Sequence, residues 1–322
     1  MRRRVWCETL AYDALDPALA GQLARRDLEL LLAVRPWQLA EIPAVVRRLQ
    51  DHGVFVGVWP MLADADGRWA SARSHAAFIA FADALVDAVP FANELVIDLE
   101  PPKHLLARWK DGDPTWRASE PPARRDATGR IQGSASEPYR HDHATAAAAG
   151  AWRQTPSPRI YEIARAAFTT AIERWRARMR VSTAILPMLA FEVAGEWMQR
   201  LLGTPTSSLA VDHHSVMAYT SLLEGWSRGL VSRRRAERLL VACARLARRR
   251  FGDRAGLSLG TVGTGAFGDE PCYRDVGELA RDVALAREAG ITELSLFDLG
   301  GIVRRPPIEP WLEAFTVACS QP

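Results

Sequence analysis

The sequence predicts an α/β fold of the (β/α)8 barrel type, and three observations carry that expectation. Eight short apolar runs rich in β-branched residues recur along the 322 residues. Stretches with helical periodicity separate them. A doubly wound sheet would carry a glycine-rich phosphate turn after its first strand, whereas here the first run leads into "CETLAYDALDP".

The elements are expected in strict alternation. Strand Val5–Tyr12 precedes helix Pro17–Arg26. Strand Leu28–Val34 precedes helix Ala40–His52, which stops at Gly53, a residue suited to the position after a helix end. Strand Val54–Leu62 precedes helix Ser71–Val89, which ends before Pro90. The fourth strand, Glu94–Glu100, is stopped by Pro101 and Pro102, and the long amphipathic helix Pro158–Met179 comes much later. Strand Val181–Leu189 and helix Phe191–Leu202, ending at Gly203, follow. Strand His214–Thr220 leads to helix Ser232–Arg250, with Leu239, Leu240, Cys243 and Leu246 at helical spacing. Strand Leu257–Val262, helix Val276–Ala289 before Gly290, strand Ile291–Leu299 and helix Pro310–Ala318 complete the count.

One connection is too long for a simple loop. Residues 101–157 are polar and rich in Pro, Gly, Ser, Arg and Asp. They leave from the C-terminal end of the fourth strand, where barrels keep their chemistry, so the expectation is an insertion that forms a lid over that face of a single 1–322 domain.

Bulk composition excludes several classes. A formal charge of +3 is too small to argue for nucleic acid. Cys7, Cys243, Cys272 and Cys319 are far apart and lack C-x-x-C spacing, which speaks against a zinc site or a disulfide framework. There is no apolar stretch of the length of a signal peptide or a membrane span, so a soluble cytoplasmic protein with no membrane partner is expected. No cofactor and no metal are expected. His141 and His143, in "RHDHA", are a weak metal-binding pattern. The arginine groups Arg233–Arg235 and Arg248–Arg250 read as the solvated face of one helix.

The chemistry is expected at "ELVIDLEPPKH", residues 94–104. Alternate residues of a strand face the same way, about 6.6 Å apart at ~3.3 Å per residue. Asp98 and Glu100 therefore share a face with Val96, which reads as the barrel interior, and emerge at the rim. Two carboxylates this close repel, so one of them keeps its proton near neutrality. A protonated acid beside an ionised one suits general acid chemistry on an ether or acetal oxygen. The alternative is a structural ion pair with arginines.

"VIDLE" on the fourth strand and "MAYT" (Met217 to Thr220) on the sixth resemble the chitinase-type glycoside hydrolases of family 18, with their D-x-x-D-x-D-x-E and M-x-Y-D motifs. The resemblance implies Glu100 as general acid, Asp98 as the acid orienting a substrate acetamido group, and Tyr219 as that group's hydrogen-bond partner, in a retaining, substrate-assisted route. The two earlier aspartate positions hold Asn93 and Val96 here, and the aspartate after the tyrosine is Thr220.

Other rim candidates follow from position. His213, Ser215, Met217 and Tyr219 share a face of the sixth strand, with His213 and His214 low in it and expected to be structural. Glu8, within the first strand, is a candidate third acid pointing into the barrel, and Asp13 follows that strand. Asp298, before Gly300 and Gly301, is a candidate for ligand contact or a cap for the turn. Asp269 and Glu270 lie in a glycine-rich loop, where their charge would repel phosphate. Trp59, ahead of Asp64 and Asp66, offers a flat face for a sugar ring, as do Trp109, Trp116 and Trp152 from the insertion. The expected function is a glycosidase-like hydrolase acting on a carbohydrate or glycosylated small molecule. A lyase, isomerase or cyclase using the same acid pair, and a non-catalytic carbohydrate-binding barrel, remain open.

Overall fold

Within the strands the outward residues are mostly aliphatic, and the inward ones are mixed in size and polarity. That pattern closes the sheet. In a computed structural model, which describes residues 1–110, 156–192 and 195–316, eight parallel strands form a closed barrel in sequence order, β1-β2-β3-β4-β5-β6-β7-β8.

The strands are β1 Arg2–Cys7, β2 Glu29–Val34, β3 Val56–Pro60, β4 Glu94–Leu99, β5 Arg180–Ile185, β6 His213–Met217, β7 Ala255–Gly260 and β8 Glu293–Phe297. The helices are α1 Pro17–Ala24, α2 Ile42–Asp51, α3 His75–Ala88, α4 Lys103–Lys110, α5 Pro158–Arg176, α6 Trp197–Leu202, α7 Thr220–Trp226, α8 Arg233–Phe251, α9 Val276–Glu288, α10 Leu299–Val303 and α11 Glu309–Thr316. Gly53, Gly203 and Gly290 take positive φ at the ends of α2, α6 and α9, as the sequence leads one to expect. Asp16 caps α1 by accepting from the Leu19 amide at 2.8 Å, with Pro17 in the first turn.

Outward side chains such as Leu30, Leu32, Val58, Ile97, Leu257 and Leu296 are fully buried under the helices and form the larger core. A smaller inner core fills the upper barrel with Trp6, Leu31, Trp59, Val96, Ala184 and Phe297. Register sets these layers: Trp6 is paired with Leu31, Ala33 with Trp59, Asp98 with Ala184, and Gly260 with Phe297.

The lowest layer is ionic. Fully buried Arg4 donates to Glu94 at 2.9 Å and to the Ser182 hydroxyl at 3.2 Å, and it pairs with Glu293. Arg2 joins Glu29, Glu94 and Glu293. Burial alone would raise the Glu94 carboxyl, but Arg4, Arg2 and the Ser182 hydroxyl hold it down at about 2. The layer needs glycine beside it. A Cβ on Gly57 would lie 2.8 Å from Leu31 Cδ2, and one on Gly256 would lie 2.9 Å from Glu293 Oε1.

Several expected boundaries shift. β1 begins at Arg2 rather than Val5 and ends at Cys7, because the charged Arg2 and Arg4 are inward residues of the floor. β6 ends at Met217, and Thr220 starts α7, a helix the sequence reading did not contain. The helix expected over 191–202 begins only at Trp197. Both arginine groups on α8 include inward members. Arg233 donates to Thr220 and pairs with buried Asp282 at 2.5 Å, and Arg250 pairs with Glu192. Cys7, Cys243 and Cys272 are free thiols. Trp116, His141, His143, Trp152 and Cys319 lie outside the described residues, as does the Trp109 side chain. No helix among the described residues is long and apolar enough to cross a membrane.

Candidate functional site

The top of β4 is held by a strand-like return of the preceding loop. After β3 the chain passes through Met61 to Trp69 and comes back. The Ala70 amide donates to the Asp98 carbonyl at 2.9 Å, and the Glu100 amide donates to the Ala70 carbonyl at 3.2 Å. That pairing carries extended backbone past Leu99 to Glu100. Pro101 and Pro102 have no amide hydrogens, so the ladder stops there. The Pro102 carbonyl accepts from Leu105 and opens α4.

Asp98 and Glu100 line one cavity of about 490 Å3 at the C-terminal end of the barrel. They are 3 % and 9 % exposed, so both are largely removed from water. Glu8, just beyond β1, lines the same cavity, which places the third acid inside. The site therefore brings together three carboxyls from β1 and β4.

Their electrostatics differ. Glu8 is paired with Arg68, and Arg35 lies 3.6 Å away, yet burial still leaves its carboxyl above the usual range. Arg68 also holds Asp64 at 2.5 Å, and Lys103 reaches Asp64 at 2.6 Å. Asp98 is raised well above its ordinary value, by burial first, then by the neighbouring charges of Glu100 and Glu8. Its hydrogen bond to Glu100 raises it further and acts in the opposite sense on Glu100, as expected when Asp98 is the donor. Glu100 is nevertheless pushed up, to about 8, by burial and by Glu8. Both carboxyls are thus shifted toward the protonated form at neutral pH, where the sequence leads one to expect one protonated acid beside an ionised one; burial acts on both members and not on one alone.

Aromatic residues surround the acids. Trp59 meets Trp6 edge-on, with ring centres 4.7 Å apart, and both line the cavity. Trp69 comes from the loop after β3. Phe267, in the glycine-rich loop after β7, lies 6.5 Å from Trp69 and 6.0 Å from Trp226 at the end of α7. Tyr219 tilts against Phe297 at 6.0 Å, and its hydroxyl lies 3.2 Å from the Ser258 hydroxyl rather than on Asp98. Met217 also lines the cavity.

Asp298 is elsewhere. It caps α10, accepting from the Gly301 amide at 2.8 Å and from the Thr9 hydroxyl at 2.9 Å, and it is fully buried outside the cavity lining. The close approach that Gly300 and Gly301 permit is to protein: a Cβ on Gly301 would lie 2.3 Å from the Gly263 amide nitrogen. Of the two meanings open to Asp298, the cap is the one present. Asp13 is exposed in a turn. His213 contacts Glu293 at 3.2 Å in the floor, and outward His214 shares a 2.8 Å hydrogen bond with Thr183. Among the described residues, no group of three or more His, Cys, Asp or Glu side chains could hold a metal ion.

Sequence reasoning missed Arg68, Trp69, Phe267 and the α7 residues Leu222, Leu223 and Trp226. It also valued Glu270 only as a charge that repels anions. Glu270 lines the cavity, 7 % exposed, and accepts from the Phe267 amide at 2.8 Å through one oxygen.

Comparison with known proteins adds fold and no family. No family model matches the chain, and no curated protein does. Among solved structures, it is similar to the PgaB (BpsB) glycoside hydrolase domain from Bordetella bronchiseptica, at 14% identity over 99% of each chain and a TM-score of 0.54. It is similar to the catalytic domain of β-amylase from Paenibacillus polymyxa at 7% identity, over 100% of this chain and 99% of that one, with a TM-score of 0.52. The catalytic domain of a Pyrococcus furiosus chitinase aligns at 12% identity over 92% of this chain and 84% of that one, but its TM-score of 0.46 is too low to argue from. At these identities the likeness establishes the barrel alone.

Proposed function

We propose that the protein is a carbohydrate-acting barrel enzyme that hydrolyses a glycosidic bond, with Glu100 as general acid. One observation carries this reading: Asp98 and Glu100 lie side by side, buried, at the C-terminal end of a barrel strand, in a cavity walled by tryptophans. Glu100 gives its proton to the glycosidic oxygen as the bond to the anomeric carbon breaks. The carboxylate left behind is stabilised by the hydrogen bond from Asp98, whose own carboxyl is raised well above its ordinary value by burial and by its acidic neighbours. The Trp59 ring offers a face for the sugar, and Tyr219 a hydroxyl for one of its oxygens. The family-18 resemblance adds the attacking group, a substrate acetamide oriented by Asp98 and Tyr219.

The test is a panel of alkyl and aryl glycosides with wild type and Glu100→Gln. Turnover of at least one glycoside by wild type, lowered about 10²–10⁴-fold in the variant, is expected for loss of a general acid. Because aryl leaving groups need little acid assistance, the loss should grow as the leaving group becomes more basic. Full activity in Glu100→Gln on alkyl glycosides would remove Glu100 from the mechanism.

A further inference from the structure

The cavity divides into a polar floor and an apolar wall, and its hydrogen-bonding inventory shows the division. Three buried polar atoms on residues lining it have no partner: Asp98 Oδ1, Trp59 Nε1 and Glu270 Oε2. Buried polar groups are normally satisfied, so these three, shielded from the cavity as they stand, would gain a partner where a small side-chain rotation turns them toward a ligand's hydroxyls. The polar side chains of the wall, by contrast, are already engaged. The Ser227 hydroxyl serves the Glu224 carbonyl at 2.9 Å and the Val231 amide at 2.9 Å, and the Thr261 hydroxyl donates to the Pro271 carbonyl at 2.6 Å. Between them the wall presents Met188 after β5, Leu222, Leu223 and Trp226 on α7, and Phe267. Such a surface, mostly aliphatic and aromatic, is poorly matched to the hydroxyls of a second sugar. A volume of about 490 Å3 falls in the range typical of sites for drug-sized molecules, ~300–1,000 Å3, more than one sugar ring needs.

We propose that the substrate is a glycoside whose leaving group is a large, uncharged alkyl or aryl group, seated against Leu222, Leu223 and Trp226 while its sugar meets Asp98, Trp59 and Glu270. This rests on the hydrolytic reading and extends it to a substrate class. Among the described residues lining the cavity there is no cation to receive an anionic leaving group, and the wall gains from each methylene it covers. Glu100, which lines the same cavity, would protonate the oxygen that joins sugar to aglycone.

Two experiments separate this inference from the reading beneath it. Tryptophan fluorescence of the wild-type protein, titrated with 1-naphthol, is expected to change saturably, with affinity at least tenfold weaker in Leu223→Asp or Trp226→Ala. For the glycosides that turn over, KM is expected to fall at least tenfold from methyl to octyl at a fixed sugar, a series that needs no variant to fold. No saturable change with 1-naphthol, unaltered affinity in both folded variants, or a flat alkyl series overturns the proposal. Saturable, wall-dependent naphthol binding with no turnover of any glycoside supports the apolar wall and counts against hydrolysis instead.

Discussion

Replacing Glu94 with Gln should destabilise the protein by about 3 kcal/mol at neutral pH without touching the cavity above it. The magnitude comes from the floor of the barrel. Glu94 is 1 % exposed, accepts from Arg4 at 2.9 Å, and contacts Arg2 and the Ser182 hydroxyl. Its carboxyl is held at about 2 against an ordinary value of 4.5. At ~1.36 kcal/mol per pH unit, that difference is worth about 3 kcal/mol. The figure agrees with the ~3–5 kcal/mol expected when one partner of a buried pair is removed. With an unfolding entropy of ~2.1 cal/mol/K per residue, the 322-residue chain should lose about 4–5 °C in Tm. The sign is fixed by linkage. A carboxyl depressed in the folded state stabilises it above its unfolded value, and that stability is lost as pH falls from about 4.5 toward 2. Urea unfolding of wild type and variant at pH 7, 5, 4 and 3 measures this. The two curves should converge as acid is added. A difference under ~1 kcal/mol at pH 7, or one that does not shrink on acidification, would refute the reasoning.

Further outcomes follow from the same structure. Activity should fall as pH rises through the raised Glu100 value, about 8, because the general acid must carry its proton; a kcat/KM profile shows whether an alkaline limb lies there. Arg68→Met should move that limb to higher pH, since the Arg68 charge lowers both members of the pair. Burial holds His214 down to about 3. Folded stability should therefore drop as pH falls from about 6.5 toward 3 while the unfolded chain takes up the proton, and His214→Asn should lack that component in the same urea series. Trp59→Leu should raise KM for the sugar more than it lowers kcat, which initial-rate measurements separate.

Much of this was legible in the sequence because it depends on local repetition. Alternating runs and helical periods gave all eight strands, and D-x-E at a strand end gave the acid pair from side-chain alternation alone. Positive-φ glycines marked helix ends at Gly53, Gly203 and Gly290. What stayed hidden depends on contacts across the barrel. The strand pattern began only at Val5, because three carboxylates from other strands are needed to make Arg2 and Arg4 a buried floor. Arg68 reaches Glu8 only because the loop after β3 returns to pair with β4. Asp298 and Glu8 both follow strand ends. The Asp298 side chain accepts from the Gly301 amide of its own helix, and that of Glu8 meets Arg68 at the cavity. Neighbouring sequence does not separate those outcomes. The α7 wall was missed because Thr220 occupies a position that the strand pattern seemed to continue.

The account stands or falls on the protons held between Asp98 and Glu100. Carbon-13 NMR of protein labelled at its carboxyl carbons, titrated from pH 5 to 10 and assigned with Glu100→Gln and Asp98→Asn, observes them directly. Both carboxyls should remain protonated at neutral pH, with the first ionisation of the pair in the alkaline range. Two carboxylates already ionised at pH 6 would contradict it.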